Sequence, residues 1–173
     1  MGKIEEQAKQ ILEKFPQIKT QPASISGKYH LGETLLEHLE RCASIMRHLC
    51  DAFNIKDSDR DMLIACAYLH DLGLCLITFR EDEITVKEGW DRFHTGWVRS
   101  RALMVLHPLI SASLLDEYEI ARKEDIKKII SSHMAHWYKL TPQPTTFYQQ
   151  LLVIADYLAS RKEETLFTYK GCR

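Results

Sequence analysis

Apolar side chains recur at intervals of three and four residues along most of this 173-residue chain. That spacing places them on one face of an α-helix. Only 7 glycines interrupt the pattern. We therefore predict an all-α fold, a single-domain bundle of about six to seven helices. The clearest stripe lies in a helix predicted over residues 31–53 and consists of Leu35, Leu39, Cys42, Met46, Leu49 and Phe53.

Helix boundaries are predicted from residues that start or stop helices. Pro16 ends the first helix, Asp57 and Ser58 form an N-cap region, Gly73 ends the helix that follows, and Pro108 starts another. The predicted helices cover 3–15, 31–53, 57–73, 95–105, 108–118, 123–137 and 146–163.

Residues 75–88 are the least helical part of the chain. Ile77 and Phe79 precede a charged tip, and Ile84 and Val86 follow it, so a small hairpin is predicted there. No linker composition divides the sequence, and we expect one domain over 1–173. Its core spans 28–162, preceded by an N-terminal helix and loop over 1–27 and followed by a tail over 164–173.

Composition narrows the kinds of partner. A formal net charge of −1 and a pI of about 6.7 provide no overall basic field for nucleic acid. The 5 cysteines are odd in number and form no C-x-x-C pair, so we expect reduced thiols in the core. The charged first residues do not resemble a signal peptide, and no apolar run could span a membrane. A cytoplasmic protein without membrane contact is expected.

Five of the predicted helices carry a polar residue on the apolar face. Each of these polar residues, taken alone, is more simply interpreted as a hydrogen-bonded core residue. Together with Asp71, however, they would bury two carboxylates, and burying an unpaired carboxylate costs several kcal/mol. One or two divalent transition metal ions (Mn, Fe, Co, Ni or Zn) would neutralise such a mixed set of donors. The five residues are His38, His70, His107, His133 and Asp156.

His70 and Asp71 point about 100° apart if both are helical. Both can reach the same centre only where the helix ends, and Gly73 predicts an end there. The carboxylate of Asp71 could then bridge two ions.

Five sequence motifs resemble those of the HD superfamily of metal-dependent phosphohydrolases: LLEHLERC, AYLHDLG, HPLISASLL, IISSHMAHW and IADYLASRK. The similarity covers about residues 28–162, and the third and fourth motifs resemble the binuclear branch, which includes the HD-GYP phosphodiesterases. The resemblance implies a helical bundle. It also implies core metal ligands at His38, His70, Asp71 and Asp156, with a second metal held through His107 and His133.

The chain departs from these relatives at two points. A Gly-Tyr-Pro loop is absent, which argues against cyclic di-GMP as substrate. Leu74 occupies the position at which many HD hydrolases have a lysine. The missing positive charge could come instead from Lys28, Arg161, Lys162 or His136.

Other side chains are candidates for substrate contact. Lys28, Tyr29 and His30 immediately precede the first ligand helix, where they could reach a substrate or simply form a solvated turn. Trp137 is either a core residue or a wall on which a base stacks. Arg161 is either a surface ion-pair partner or a phosphate clamp.

The sequence therefore predicts hydrolysis of a phosphate ester in a small molecule, a nucleotide or a short oligonucleotide. Asp71, His136 and Arg161 are the expected catalytic residues, with His136 as proton donor or alternative ligand. Two alternatives stay open, namely an HD-type diiron oxygenase and a non-catalytic metal-binding sensor. A homo-oligomer is also open. The expected substrate-binding residues are Lys28, Tyr29, His30, Trp137 and Lys162.

Overall fold

Helices make up most of the chain that the computed structural model describes, which is residues 2–23, 33–75, 78–79, 97–98, 101–135 and 140–161. The α-helices are α1 (Lys3–Leu12), α2 (Leu35–Ala52), α3 (Asp57–Leu69), α4 (Arg101–Leu114), α5 (Lys123–Ile130) and α6 (Phe147–Ser160). Short 3-10 helices cover Pro16–Lys19, Leu72–Cys75 and Leu115–Glu117. The prediction of an all-α fold is confirmed.

A two-stranded pairing precedes α4. The strands β1 (Thr78–Phe79) and β2 (Trp97–Val98) are antiparallel, with Thr78 opposite Val98 and Phe79 opposite Trp97. The strand predicted at Phe79 is present, and it pairs with Trp97. Ile84 and Val86, the other half of the predicted hairpin, lie outside the described residues.

Two capping boxes define where α2 and α6 begin. The Thr34 hydroxyl accepts from the Glu37 N–H at 3.3 Å, and the Thr34 N–H donates to the Glu37 carboxylate at 2.7 Å. Thr146 and Gln149 make the equivalent pair before α6. Each box satisfies N–H groups that the first helical turn leaves unpaired. Helix α2 consequently starts at Leu35, later than the predicted residue 31.

The core is formed by α2 and α3, with α6 against α2 and α1 against α3. The α2 stripe is buried from Leu35 to Met46, whereas Phe53 follows the helix and is 53% exposed. The backbone N–H groups of Ile4 and Glu5 donate to the Asp61 carboxylate at 2.8 and 2.9 Å. Asp61 therefore caps α1 from α3, because the first turn of a helix offers unpaired donors.

Helix α3 differs from its prediction at both ends. Its N-cap is Lys56, and Asp57 is already helical, so neither Asp57 nor Ser58 caps it. It ends at Leu69 rather than Gly73, and His70 is its C-cap. We call residues 70–75, which follow α3, the HD turn.

Gly73 is required by close packing rather than as a helix stop. A Cβ at this position would lie 2.6 Å from the His107 carbonyl oxygen and 2.9 Å from the Ser111 nitrogen. The Gly73 N–H donates to the Ser111 hydroxyl at 2.8 Å. The HD turn thus lies directly on the backbone of α4.

Helix α4 merges two predicted helices. Pro108 lies inside it rather than at its start, so the predicted boundary between 105 and 108 is wrong. An interior proline removes one backbone hydrogen bond, at a cost of about 3 kcal/mol. Helix α4 packs against the HD turn and against α5, and this packing is available to offset the cost.

Helix α5 is shorter than the predicted 123–137. It ends at Ile130, and its C-cap is Ser131. The chain continues as a turn in which the His133 N–H donates to the Ile130 carbonyl at 3.4 Å.

The structure bears on two further predictions, reduced cysteines and no membrane-spanning helix. Cys42, Cys50, Cys66 and Cys75 are free and buried, whereas Cys172 lies outside the described residues. Within the described ranges, every helix is too short or too polar to cross a membrane.

Gly73→Ala should lower the free energy of unfolding by about 1–3 kcal/mol, because its methyl group must displace the backbone of α4. Denaturant unfolding followed by circular dichroism measures this. Ser44→Ala, on an exposed position of α2, is the control and should change stability by no more than about 0.5 kcal/mol. Equal stability of the Gly73→Ala protein and the wild type would contradict the close approach.

Candidate metal centre

Six side chains from five separate parts of the chain meet in two groups. His38, His70, Asp71 and Asp156 form the first group, which we call site 1, and Asp71, His107 and His133 form the second, site 2. Each side chain in a group offers one donor atom within 4.8 Å of the others, and all of them are buried. Asp71 belongs to both groups.

Site 1 is centred on the Nε2 atoms of two histidines. His38 Nε2 lies 3.4 Å from His70 Nε2 and 3.2 Å from Asp156 Oδ1. Asp71 Oδ2 lies 3.6 Å from His38 Nε2 and 3.5 Å from His70 Nε2. Helix α2 supplies His38, the HD turn His70 and Asp71, and α6 Asp156.

Site 2 uses the other oxygen of Asp71. Asp71 Oδ1 is 3.0 Å from His107 Nε2 and 3.2 Å from His133 Nε2. The two histidine nitrogens are 3.1 Å apart. His107 comes from the middle of α4 and His133 from the turn after α5. A single carboxylate therefore faces both groups, one oxygen toward each.

Backbone carbonyls orient two of the imidazole rings. His70 Nδ1 is 2.9 Å from the Ala67 carbonyl oxygen, and His133 Nδ1 is 2.7 Å from that of Ile130. In a neutral ring, the Nδ1–H donates to the carbonyl and Nε2 carries a lone pair. This is the arrangement by which outer partners hold histidine ligands on metals.

Burial and charge shift the pKa values of these groups in the metal-free protein. Burial lowers the pKa of His70, but the charges of Asp71 and Asp156 outweigh burial and raise it to about 9. Burial raises the pKa of Asp156, but His38 and His70 hold it below its ordinary value. The same opposition keeps the pKa of Asp71 well below its ordinary value. Both carboxylates are therefore anions inside the core.

The pKa of His133, in site 2, shifts in the opposite direction to that of His70, in site 1. Burial lowers the pKa of His133 despite the neighbouring Asp71 carboxylate. Its ring is therefore neutral near pH 7, and its bare Nε2 faces an anionic oxygen at 3.2 Å. Two lone pairs oppose each other at that distance, an arrangement that a cation between them would make favourable.

The donor spacing fits a metal. Two donors each about 2.1 Å from one ion are about 3.0 Å apart at right angles and about 3.4 Å apart in a tetrahedron. The separations that involve a histidine nitrogen of site 1 run from 3.2 to 3.6 Å, and those within site 2 from 3.0 to 3.2 Å. Imidazole nitrogen with carboxylate oxygen suits Mn, Fe, Co, Ni or Zn.

The other predicted site residues do not belong to the two ligand groups of the described structure. Arg161 is the C-cap of α6, and its guanidinium carbon lies 4.5 Å from the ring centre of Tyr157. Leu74, at the position of the usual lysine, is only 3% exposed and belongs to the core. Lys28, Tyr29, His30, His136, Trp137 and Lys162 lie outside the described residues, and their predicted roles stay predictions.

Sequence reasoning missed the residues that support the site. Ser111, one turn after His107 on α4, accepts from the Gly73 N–H, as described above. Arg41 follows His38 by three residues and reaches α6. The sequence spacing could have identified both residues, because positions three or four residues from a ligand share its helix face.

Comparison with known proteins agrees with this geometry. The family model described as HD domain matches residues 35–161, which is most of the chain. The chain therefore belongs to the HD domain family. Members of this family are generally metal-dependent phosphohydrolases that bind divalent metals. Neither the search of curated proteins nor the search of solved structures found a significant match.

The two sites predict different metal contents for different variants. Wild-type protein loaded with Mn²⁺ and desalted should retain two ions per chain, His133→Ala one, and Asp71→Ala neither, because Asp71 is shared. Mass spectrometry of the metal content measures this. His48→Ala, exposed on the same helix as His38, is the control and should match wild type. Equal retention by wild type and Asp71→Ala would contradict the shared site.

Proposed function

We propose that the chain is a hydrolase of phosphate esters that acts on a nucleotide or a short oligonucleotide through two divalent metal ions. The single observation that supports this most is the position of Asp71, whose two carboxylate oxygens face two separate groups of histidines. Such a carboxylate can serve two ions at once.

The charge balance favours an anionic substrate. The described site contains two carboxylates, Asp71 and Asp156, and its imidazoles are neutral when they act as ligands. Two divalent cations would leave this buried centre with an excess of positive charge. Phosphate oxygens are the ligands that such a centre would attract.

When bound, the metals would supply a hydroxide nucleophile at neutral pH and neutralise charge on the phosphoryl group. The protein's own residues determine where this happens. Carbonyls of Ala67 and Ile130 fix the tautomers of His70 and His133, so their Nε2 atoms point inward without prior rearrangement. Among the described residues, site 1 has four donors and site 2 has three, so site 2 would leave more room for substrate.

The leaving group and the phosphate need partners from the protein. Leu74 is buried and uses its backbone carbonyl to accept from Gln21, so this position provides no cation. We assign phosphate binding to Arg161, the C-cap of α6, which follows Asp156 by five residues. We assign proton donation to His136, and contacts with base and sugar to Lys28, Tyr29, His30, Trp137 and Lys162.

Leu74 keeps the diiron oxygenase as a second candidate, because the phosphate contact usual in HD hydrolases is missing from this position. The two reactions differ in what they consume. An oxygenase would consume dioxygen when the iron-loaded protein meets its substrate, and a hydrolase would not. A non-catalytic sensor would bind metal and show neither reaction.

Metal-loaded protein should release phosphate or a nucleoside monophosphate from at least one class of substrate in a panel of mononucleotides, cyclic nucleotides and short oligonucleotides. Asp71→Asn preserves shape but removes the bridging charge, and it should lower kcat by about 10²–10³-fold. Chromatography of the products measures both effects. His48→Ala is the control and should retain wild-type activity.

Absence of turnover with Mn, Fe, Co and Ni, in protein that retains its metals, would refute the hydrolase. Oxygen consumption by the iron form would then identify the oxygenase.

A further inference from the structure

A short chain of hydrogen bonds joins the three elements that carry the site 1 ligands. We propose that Glu33 and Arg41 are positioning residues for site 1, holding α2 against α6 so that His38 and Asp156 meet at the distance a metal requires. This inference rests on the proposed metal centre and extends it to residues outside the ligand set.

Arg41 connects α2 with α6. Its Nη1 donates to the Ala159 carbonyl oxygen at 3.2 Å and lies 2.9 Å from Glu33 Oε1. Ala159 lies in the last turn of α6, where carbonyl groups have no partner within the helix. A guanidinium there satisfies one of them and also complements the negative end of the helix dipole.

Glu33 fixes the position of the guanidinium. Its side chain is 0% exposed, whereas that of Arg41 is 29% exposed. The backbone also holds Glu33, because its carbonyl accepts from the Ala23 N–H at 2.9 Å and the next residue, Thr34, pairs with Pro22. A buried carboxylate in a fixed place leaves Arg41 little freedom to move.

Gln21 extends the same connection to the HD turn. Gln21 is fully buried, and its side-chain Nε2 donates to the Leu74 backbone carbonyl at 3.0 Å. The backbone carbonyl of Gln21 accepts from the Leu35 N–H at 2.9 Å. The segment that pairs residues 21–23 with 33–35 therefore contacts the HD turn through Gln21 and α2 through Arg41.

Each of these contacts lies three residues after a site 1 ligand in the sequence. Arg41 is three residues after His38, Ala159 three after Asp156, and Leu74 three after Asp71. Three residues are about 4.5 Å along a helix, so on α2 and α6 each contact lies within one turn of a ligand. A change in the separation of α2 and α6 at this level would move His38 and Asp156 apart.

Site 2 has a support that does not involve Arg41. Its ligand His107 lies one turn before Ser111, and Ser111 holds α4 on the HD turn through Gly73. Loss of the Arg41 contact should therefore weaken site 1, whose ligands His38 and Asp156 it aligns, more than site 2.

The experiment measures Mn²⁺ affinity by calorimetry in a His133→Ala background, which leaves only site 1 intact. The variant is Glu33→Gln with Arg41→Met, which avoids leaving a buried carboxylate unpaired. It should raise the Kd for Mn²⁺ by about tenfold, the lower end of the loss seen when a residue that supports a metal ligand is removed. Visible spectra of the Co²⁺ form should change, because the ligand geometry changes.

The chain offers a matched control. Arg47 also lies on α2, is 31% exposed, and lies 2.6 Å from the nearly buried carboxylate of Glu5. Glu5→Gln with Arg47→Met removes a similar ion pair far along the helix from His38. This control should change the Kd of site 1 by less than twofold.

The outcomes separate the two proposals. An unchanged Kd in the Glu33→Gln, Arg41→Met protein would overturn the positioning role, as would an equal loss in the Glu5→Gln, Arg47→Met control. If the His133→Ala background binds no Mn²⁺, the metal centre itself fails and the positioning role fails with it. Arg41→Lys on its own, in the same His133→Ala background, tests for rescue because lysine keeps the charge but not the fork-shaped guanidinium. A Kd between that of the background and that of the Glu33→Gln, Arg41→Met protein supports the role of the guanidinium.

Discussion

The burial of two carboxylates inside a small helical core is the constraint on which the rest of the structure depends. Asp71 and Asp156 are each 7% exposed and surrounded by four buried histidines. A carboxylate in such a place is costly unless hydrogen-bonded, paired with a positive charge or bound to a metal. The helices and turns that surround the centre therefore have two tasks, packing an apolar core and bringing the donors together.

Much of this could be predicted from the sequence, because the apolar stripe and the polar exceptions to it use the same helical period. The buried positions Leu35, Leu39 and Cys42 follow directly from that period, and His38 lies among them. The convergence of the donors was also predictable, because together they would bury two carboxylates, and burying an unpaired carboxylate is costly. Distances between the donors were not, because they depend on how helices cross.

Local rules failed where tertiary packing overrode them. Pro108 normally marks a helix start, yet α4 continues through it while packing against the HD turn. Gly73 normally marks a helix end, yet its function is to let two backbones approach. The connection through Gln21, Glu33 and Arg41 joins residues up to 118 positions apart, and a single sequence contains no record of such pairs.

The shared carboxylate has a thermodynamic consequence. Two ions held by opposite oxygens of Asp71 would not bind independently, because the first would withdraw electron density from the carboxylate and would also repel the second. Coupling of this kind is reciprocal, so each ion would weaken the other by the same factor. The four-donor group would fill first, and the three-donor group would respond to the concentration of free metal. A half-loaded protein would then be a distinct species, and the supply of metal would set how much of it exists.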